Sequence, residues 1–372
     1  MKLFVCAGET SGDQHAAALV RELRPLEPGL AVTAVGGPAL AAEGAALLTD
    51  LTAIAPIGVV EVLKDLGTYR QAFLKARDWC ARERPDAAVL LDFPDFNLRL
   101  ASRLKALGLP VVYYISPQVW AWRPGRVRQI ARVVDRMLVL FDFEEGIYRK
   151  AGVDVRWVGH PLADQIPDPG MAPREAGLVG LLPGSRPKEV ASLLPVLAGA
   201  ALRIAAARPG SRFVVAPTPS ISLGLVEDIL ARSGLRAEVR PGGARDLMRS
   251  AELLLIASGT ATLEAALCRA PMVVVYKVSP VTALIGRALI RMKEFALPNI
   301  LSGGGTVPEC IQARAIPAVV AGEALALLGD PARLATMRAQ LGGVRAHLGP
   351  PGASRRTAEA VLGIARKGPP AP

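Results

Sequence analysis

Short apolar runs alternate with longer amphipathic stretches through the first half of the chain. The runs contain four or five residues, mostly Val, Leu and Ala, and lie at 3–7, 31–35, 87–91, 111–115, 137–141 and 155–158. Continuous apolar runs of this length are typical of strands that are buried on both faces of a parallel sheet. Because helical patterns separate them, the first half predicts a doubly wound α/β domain.

The alternation stops between residues 164 and 177, where Pro167, Pro169, Gly170 and Pro173 interrupt any apolar period. Such a stretch is typical of a linker between domains. The alternation then resumes, with further apolar runs at 178–182, 213–216, 237–240, 253–257 and 272–275. We therefore expect an α/β chain with two Rossmann-like domains facing a cleft, at 1–165 and 166–348, and a C-terminal helix and tail, at 349–372, that packs back on the first domain.

The composition supports this fold class, and the net charge indicates anionic partners. Hydrophobic residues make up 51% of the 372 positions but aromatic residues only 5%, which suits helices packed on parallel sheets. The formal net charge of +11 favours nucleic acid, acidic lipid headgroups or phosphorylated substrates as partners, without choosing among them.

The four cysteines, Cys6, Cys80, Cys268 and Cys310, lie far apart in the sequence and form no CxxC pair. With only three histidines, the sequence predicts neither a disulfide framework nor a metal site. The first apolar run is too short for a signal peptide, and no run reaches the ~18 apolar residues of a membrane-spanning helix. We therefore expect a soluble or peripheral protein in a reducing, cytoplasmic compartment.

Ligands of open α/β sheets bind at the carboxyl ends of the strands, so the loops at those ends are the candidate sites. In the loop after the first strand, Gly8 and Gly12 allow close backbone approach but lack the GxGxxG spacing. The negative charges of Glu9 and Asp13 would repel a pyrophosphate. The loop is therefore better suited to contact with sugar hydroxyls. The alternative is a tight turn in which Ser11 or Asp13 caps the helix.

A second loop begins with Asp92, directly after the run at 87–91. A carboxylate at this position is expected to point into the cleft and to accept a proton from an attacking hydroxyl. Asp95 or Asn97 would instead cap a helix that begins near Leu98.

A third loop, at 116–123, contains two of the four tryptophans, Trp120 and Trp122. Aromatic faces beside Gln118 and Arg123 suit carbohydrate or acyl packing, and base stacking is a further possibility.

A basic stretch follows the third loop and is predicted to be helical. It contains Arg126, Arg128, Arg132 and Arg136, and the last three recur at four-residue spacing, which predicts one shared helix face. This face is either solvated or an anion-binding patch.

Two loops in the second domain are candidate diphosphate sites. Gly184 and Ser185 allow close backbone approach, and Arg186 can neutralise a diphosphate. The second loop contains Ser258, Gly259 and Thr260 and opens a helix.

Glu264 lies close to the second of these loops, in what the sequence predicts to be the first helical turn. It could hold ribose hydroxyls there, or it could simply complement the helix dipole. Together the loops favour a nucleotide diphosphate in the second domain and the acceptor in the first.

Eight segments, in conserved order, resemble the lipid-A-disaccharide synthase family, and together they extend from about residue 3 to residue 312. They lie at 7–13, 57–63, 92–97, 116–122, 159–161, 182–186, 257–264 and 297–299, and the stretch at 307–312 also fits. The resemblance implies a two-domain GT-B glycosyltransferase that uses no cofactor and no active-site metal.

The resemblance also implies the reaction. An inverting enzyme would transfer 2,3-diacylglucosamine from UDP-2,3-diacylglucosamine to 2,3-diacylglucosamine 1-phosphate, giving the β-1,6-linked disaccharide 1-phosphate and UDP. It would act peripherally at the anionic cytoplasmic face of the inner membrane, with no nucleic acid partner.

Site residues follow from the resemblance, position by position. Asp92 becomes the candidate base and Arg186 its catalytic partner on the leaving group, although the choice between Asp92 and Asp95 stays open. The acceptor-side residues are Glu9, Ser11, Asp95 and Trp120, and the UDP-binding residues are Arg186, Ser258, Gly259, Thr260, Glu264, Asn299 and Glu309. A membrane-contacting helix would begin at Val59.

Three alternatives remain open from the sequence. One is a different UDP-sugar transferase or epimerase on the same fold. Another is a basic nucleic-acid-binding protein, in which the tryptophans and arginines at 116–136 would contact bases and phosphates. The third is a peripheral lipid-binding protein without catalytic activity.

Overall fold

The computed structural model describes residues 1–52, 66–121, 123–278 and 294–367. The chain divides into two compact units: unit 1 is Met1–Asp164 with Leu348–Pro372, and unit 2 is Gln165–His347. Each unit is an α/β domain with a parallel sheet, which confirms the predicted fold class. Trp122 and the first part of the expected membrane-contacting helix, 59–65, lie outside the described residues.

Unit 1 contains a seven-stranded parallel sheet in the order β3-β2-β1-β4-β5-β6-β7. Its strands are β1 Lys2–Ala7, β2 Ala31–Gly36, β3 Ala46–Asp50, β4 Ala87–Leu91, β5 Val111–Tyr114, β6 Arg136–Val139 and β7 Val155–Trp157. Its helices before the boundary with unit 2 are α1 Thr10–Leu23, α2 Pro38–Ala42, α3 Leu66–Glu83, α4 Pro94–Ala106, α5 Arg126–Val133 and α6 Asp142–Lys150, and α7 Leu162–Gln165 ends at that boundary. The direction in which strands are added reverses between β1 and β4, so ligand sites are expected at the carboxyl ends of these two strands.

Unit 2 contains a six-stranded parallel sheet in the order β10-β9-β8-β11-β12-β13. Its strands are β8 Glu175–Leu182, β9 Arg212–Val215, β10 Glu238–Val239, β11 Ala251–Ala257, β12 Met272–Tyr276 and β13 Glu309–Ile311. Its helices are α8 Pro187–Ala207, α9 Leu223–Ser233, α10 Ala244–Ser250, α11 Thr260–Leu267, α12 Leu297–Ser302, α13 Pro317–Leu328 and α14 Pro331–Gly343, with 3₁₀ turns at Gln312–Arg314 and Val344–Leu348. The corresponding reversal lies between β8 and β11.

Burial explains why the strand runs are uniformly apolar. All residues of β4 and β5 are buried, because helices cover both faces of the sheet. The last helix, α15 Ala353–Ala365, packs against α1 of unit 1 and buries Val361 and Leu362.

Two strands lie outside the predicted set. β3 is an edge strand with the sequence ALLTD, and β13 has only three residues, so neither presents a long apolar run. β8 begins at Glu175, inside the predicted linker.

The predicted shared face of Arg128, Arg132 and Arg136 is wrong. Helix α5 ends at Val133, and Arg136 is the first residue of β6. Arg136 is buried and forms an ion pair with Asp154 at 2.6 Å, whereas Arg128 and Arg132 are exposed.

By length and composition alone, α8 of the described residues is apolar enough to cross a membrane. Half of its apolar stretch is buried inside the protein. This burial is expected of a helix that packs on the sheet of its own unit.

Candidate active site

The carboxyl ends of β1 and β4 meet at the strand-order reversal of unit 1. The two strands pair in parallel, with Ala7 aligned with Leu91. The loops that begin at Gly8 and Asp92 are therefore neighbours. Sequence reasoning had singled out both loops, and the sheet brings them together.

The backbone turns sharply from β4 into α4 at Asp92. Asp92 and Phe93 have φ angles of +43° and +46°, a left-handed conformation that is unfavourable for residues other than glycine. The buried Asn97 side chain donates hydrogen bonds to the carbonyls of Leu91 and Asp92, both at 2.9 Å. The Tyr113 hydroxyl donates to the Asp92 carbonyl at 2.5 Å, so the turn is held from two sides.

Gly8 makes room for the Phe93 ring. A Cβ atom at Gly8 would overlap that ring, and Phe93 stacks on Phe96 with the ring centroids 5.3 Å apart. The close approach predicted at Gly8 is therefore to a side chain of the protein. The absence of a side chain at Gly8 therefore allows Phe93, the residue after Asp92, to pack against the first loop.

The Asp92 carboxyl is partly buried. Burial, and secondly the negative charge of Glu9, raise its pKa from 3.8 to about 6, while the Phe93 backbone amide acts in the opposite direction. Glu9 thus acts on Asp92 from the neighbouring loop, which follows the strand paired with β4.

Asp95 has a different environment from Asp92. Its exposed carboxylate forms ion pairs with Arg126 and, at 3.4 Å, with Arg123. Helix α4 begins at Pro94, four residues before the predicted start, and has no side-chain cap. The expectation that Asp95 or Asn97 caps this helix is therefore wrong.

The alternative offered for the first loop, that Ser11 or Asp13 caps α1, is also wrong. This helix begins at Thr10, has Glu9 at its N-cap position and shows no side-chain cap bond. The buried Asp13 carboxylate instead accepts the amides of Gly37 and Ala39, both at 2.8 Å, at the start of α2. Ser11 lies exposed in the first turn of α1.

The loop after β5 is anchored to α6. Ser116 is hydrogen bonded to the Tyr148 hydroxyl at 2.6 Å, and the Trp120 indole N–H donates to Glu144 at 3.4 Å. The Trp120 ring also meets Phe143 edge-on, with centroids 5.4 Å apart.

Glu144 is 3% exposed, and burial raises its pKa to about 7, although hydrogen bonds from the Phe141 amide and from other donors act in the opposite direction. Sequence reasoning missed this residue. The only sequence signal for Glu144 was its position three residues after Phe141. At that position its side chain can accept the Phe141 amide, which is half of a capping box at the start of α6.

In unit 2, a pocket of about 360 Å³ lies at the carboxyl ends of β8 and β11. The two predicted diphosphate loops both line it, together with residues that follow β9 and residues of α10. The lining residues are Leu182, Gly184, Ser185, Arg186, Glu189, Ala216, Thr218, Ala244, Met248, Ala257, Ser258, Gly259, Thr260, Ala261 and Glu264.

Two glycines of this pocket have conformations that other residues rarely adopt. Their φ angles are +111° at Gly184 and +151° at Gly259. Gly184 also allows the Glu189 carboxylate to approach, and Glu189 accepts the Ser185 amide at 3.1 Å. Sequence reasoning missed Glu189, which places a negative charge close to the exposed Arg186.

The sequence predicted Glu264 in the first turn of its helix. Helix α11 begins at Thr260, however, so Glu264 lies in the second turn. The Glu264 carboxylate accepts a hydrogen bond from Arg245 at 2.9 Å, and Arg245 also donates to Gln165 at 2.9 Å. Helix-dipole complementarity is therefore a weak account of Glu264, because the dipole acts mainly within the first turn.

Asn299 and Glu309, both predicted to hold UDP, do not line this pocket. The Asn299 amide donates to Glu309 at 2.7 Å and accepts the Val307 amide at 2.8 Å. Glu309 also accepts the amides of Phe295 and Ala296 just before α12. In this structure the pair ties α12 to β13, and direct UDP contact stays a prediction.

The cysteines and the candidate metal ligands of the described residues do not indicate a further site in either unit. The four cysteines are buried and free. Within the part of the chain that the structure describes, no three His, Cys, Asp or Glu side chains form a group that could hold a metal ion.

Comparison with known proteins identifies the family. Residues 3–356 match a family model described as lipid-A-disaccharide synthetase. The lipid-A-disaccharide synthase of Anaeromyxobacter dehalogenans (strain 2CP-C) is 45% identical, and the alignment covers 98% of each chain. These matches do not favour the epimerase or nucleic-acid alternatives.

Solved structures support the fold. A UDP-GlcNAc 2-epimerase from Neisseria meningitidis bound to UDP-GlcNAc has a TM-score of 0.64 at 13% identity, covering 98% of this chain and 100% of that chain. The glycotransferase of kitacinnamycin has a TM-score of 0.61 at 17% identity, covering 98% of each chain. The fold is therefore shared with glycosyltransferases and with UDP-sugar epimerases.

Proposed function

This chain belongs to the lipid-A-disaccharide synthase family and is a hexosyltransferase, and on that premise we propose the reaction that it performs. It transfers 2,3-diacylglucosamine from UDP-2,3-diacylglucosamine to 2,3-diacylglucosamine 1-phosphate. The products are the β-1,6-linked disaccharide 1-phosphate and UDP. The observation that carries the proposal is the partly buried carboxylate of Asp92 at the strand-order reversal of unit 1. A pocket that contains Arg186, at the same position of unit 2, supports it.

Asp92 is the general base. A carboxylate with a pKa of about 6 is mostly ionised at neutral pH and is still basic enough to take a proton from a hydroxyl in the transition state. Asp95 is less suited, because its exposed carboxylate is already engaged in ion pairs with Arg126 and Arg123. Glu9, Ser11 and Trp120 complete the acceptor side.

Arg186 and the first turn of α11 bind the diphosphate. A guanidinium forms strong charge-assisted hydrogen bonds to phosphate oxygens, and the unpaired amides at a helix start bind anions. Ser258, Gly259 and Thr260 present that helix start. Glu264, held by Arg245, accepts the ribose hydroxyls.

The chemistry is a single inverting displacement. The acceptor 6-hydroxyl oxygen attacks the anomeric carbon as its proton passes to Asp92, and the bond to the UDP oxygen breaks on the opposite face. Arg186 and the helix amides stabilise the negative charge that develops on UDP. Because these groups neutralise the leaving group, chelation with EDTA is expected to leave turnover unchanged.

The enzyme works peripherally at the cytoplasmic face of the inner membrane. The net charge of +11 and the exposed Arg128 and Arg132 on α5 favour binding to anionic headgroups. Sedimentation with anionic vesicles, but not with neutral ones, is the expected result, and salt should reverse it.

The direct test incubates the protein with UDP-2,3-diacylglucosamine and the 1-phosphate acceptor. Mass spectrometry is expected to detect UDP and the disaccharide 1-phosphate in equal amounts. Absence of both products contradicts the proposal. Equal turnover of a non-acylated acceptor would instead indicate another kind of UDP-sugar transferase.

A further inference from the structure

A second pocket, which lies in unit 1, has no part in the proton transfer or the UDP binding described above. It encloses about 600 Å³ between the start of α3 and the start of α4, within the ~300–1,000 Å³ typical of small-ligand sites. Its lining residues are Leu66, Tyr69, Arg70, Phe73, Phe93, Asp95, Phe96 and Arg99. Half of them are aromatic.

The aromatic side chains of this pocket form one continuous wall. Tyr69 contacts Phe93, with the ring centroids 5.8 Å apart, and Phe93 stacks on Phe96 at 5.3 Å. Phe73 meets Phe96 edge-on at 5.6 Å. At the N-terminal end of α3, the Leu66 side chain is 52% exposed. An apolar surface of this kind, open to solvent, is typical of a binding site.

The wall begins one residue from the proposed base. Phe93 directly follows Asp92, and its ring occupies the space that a side chain at Gly8 would fill. A chain lying along this wall would therefore hold its attached head group close to the Asp92 carboxylate.

The charged residues of the pocket are mainly cationic. Arg70 and Arg99 line it and are exposed, and the only carboxylate of its described lining, Asp95, is paired with Arg126 and Arg123. An apolar wall with cationic residues beside it suits an acyl chain attached to an anionic head group.

We propose that this pocket receives one acyl chain of the acceptor lipid and so positions the acceptor hydroxyl at Asp92. The inference rests on the proposed function. Both substrates carry acyl chains, but the pocket lies in unit 1 beside the proposed base, whereas the pocket proposed for UDP, which contains Arg186, lies in unit 2. The acceptor is therefore the occupant.

The test measures the acceptor KM for 2,3-diacylglucosamine 1-phosphates whose acyl chains differ by two methylenes, all below the concentration at which they aggregate. Each methylene buried in the pocket should lower KM about fourfold. The same series in the UDP-sugar donor, with the acceptor fixed, should show a weaker dependence on chain length.

The variants are Leu66→Glu and Phe73→Leu. Leu66→Glu places a charge on an exposed pocket residue with little risk to the fold, and Phe73→Leu shortens the wall while remaining apolar. Both should flatten the dependence of acceptor KM on chain length. Met171→Glu is the matched control, because Met171 is as exposed as Leu66, at 53%, but lies in unit 2.

The outcomes separate this inference from the proposed function. If the unmodified protein releases no UDP with the full-length substrates, the proposed function fails. If it does turn over and the two pocket variants keep the chain-length dependence of the parent, the pocket inference alone fails. A fall in kcat that is equal for every chain length, with the dependence of KM on chain length unchanged, would indicate a purely structural role and would also overturn it.

Discussion

The two sheets of this protein place their candidate sites at the same topological position but give them opposite chemistry. In unit 1, the loops after β1 and β4 bring Glu9 close to Asp92. In unit 2, the loops after β8 and β11 present two glycines with positive φ, an arginine and a helix start. The fold fixes where a ligand binds, and the loop residues decide whether a proton acceptor or an anion site lies there.

The backbones of the two sites also differ. In unit 1 the positive φ angles fall on Asp92 and Phe93, whereas in unit 2 they fall on Gly184 and Gly259. Strain on side-chain-bearing residues persists only when the surroundings enforce it, as Asn97 and Tyr113 do. The proposed base is thus held in place, whereas the anion site is built from residues that adopt their conformations freely.

The largest expected effect is that of Asp92→Asn. Loss of a general base should lower kcat ~10²–10⁴-fold, as measured by UDP release. Asp95→Asn is the matched control, and a far smaller loss is expected. The assignment is wrong if Asp95→Asn is the more damaging change.

The same substitution should not unfold the protein. The folded-state pKa of Asp92 is raised from 3.8 to about 6, so its ionisation costs stability as the pH rises through that range. Asp92→Asn should therefore be more stable than the parent above about pH 6 and show no gain below pH 3.8. Thermal unfolding across this pH range measures the difference.

The next largest effect belongs to unit 2. Arg186→Ala should lower kcat ~10²–10³-fold, because one donor to the developing charge is lost. Arg203→Ala, at an exposed position of α8 outside the pocket, should stay near the parent value. Equal loss in both variants would point to a general effect of charge.

Gly8→Ala tests the packing that seats Phe93. The added Cβ would overlap the Phe93 ring, and overpacking of this kind typically costs ~1–3 kcal/mol. Chemical denaturation should show this loss, together with a lower kcat. Gly12→Ala is the control, since its Cβ would be 3.6 Å from the Ala7 Cβ, and unchanged stability in Gly8→Ala would contradict the account.

The smallest effect concerns pH. Because Asp92 must be ionised to act, kcat/KM should fall about tenfold per pH unit below its pKa of about 6. Glu9→Gln removes one of the two charges that interact here and should move this limb to lower pH. A limb that stays in place, or moves upward, would show that Glu9 does not influence the base.

The sequence predicted the loops of both sites, because glycines, carboxylates and an arginine directly follow apolar runs. It did not predict contacts made across the fold. Glu144 accepts a hydrogen bond from Trp120, and Glu189 accepts one from the Ser185 amide. Asp13 accepts amides at the start of α2 and does not cap its own helix. Such contacts depend on which elements become neighbours, and local patterns do not encode this.

The error at the start of α4 has a local physical origin. The sequence placed the start of α4 near Leu98 because Asp95 and Asn97 are good capping residues, but the helix begins at Pro94. Proline is favoured in the first turn of a helix, and the left-handed turn at Asp92 directs the chain straight into it. The strands β3 and β13 were missed for a different reason, because they contain too few apolar residues to be recognised.

Titration calorimetry with UDP alone tests the division between the two units most directly. The account predicts that Asp92→Asn binds UDP as tightly as the parent while losing turnover. It predicts that Arg186→Ala binds UDP ~10-fold to 100-fold more weakly, because a charge-assisted hydrogen bond is lost. Weakened UDP binding in Asp92→Asn, with unchanged binding in Arg186→Ala, would contradict it.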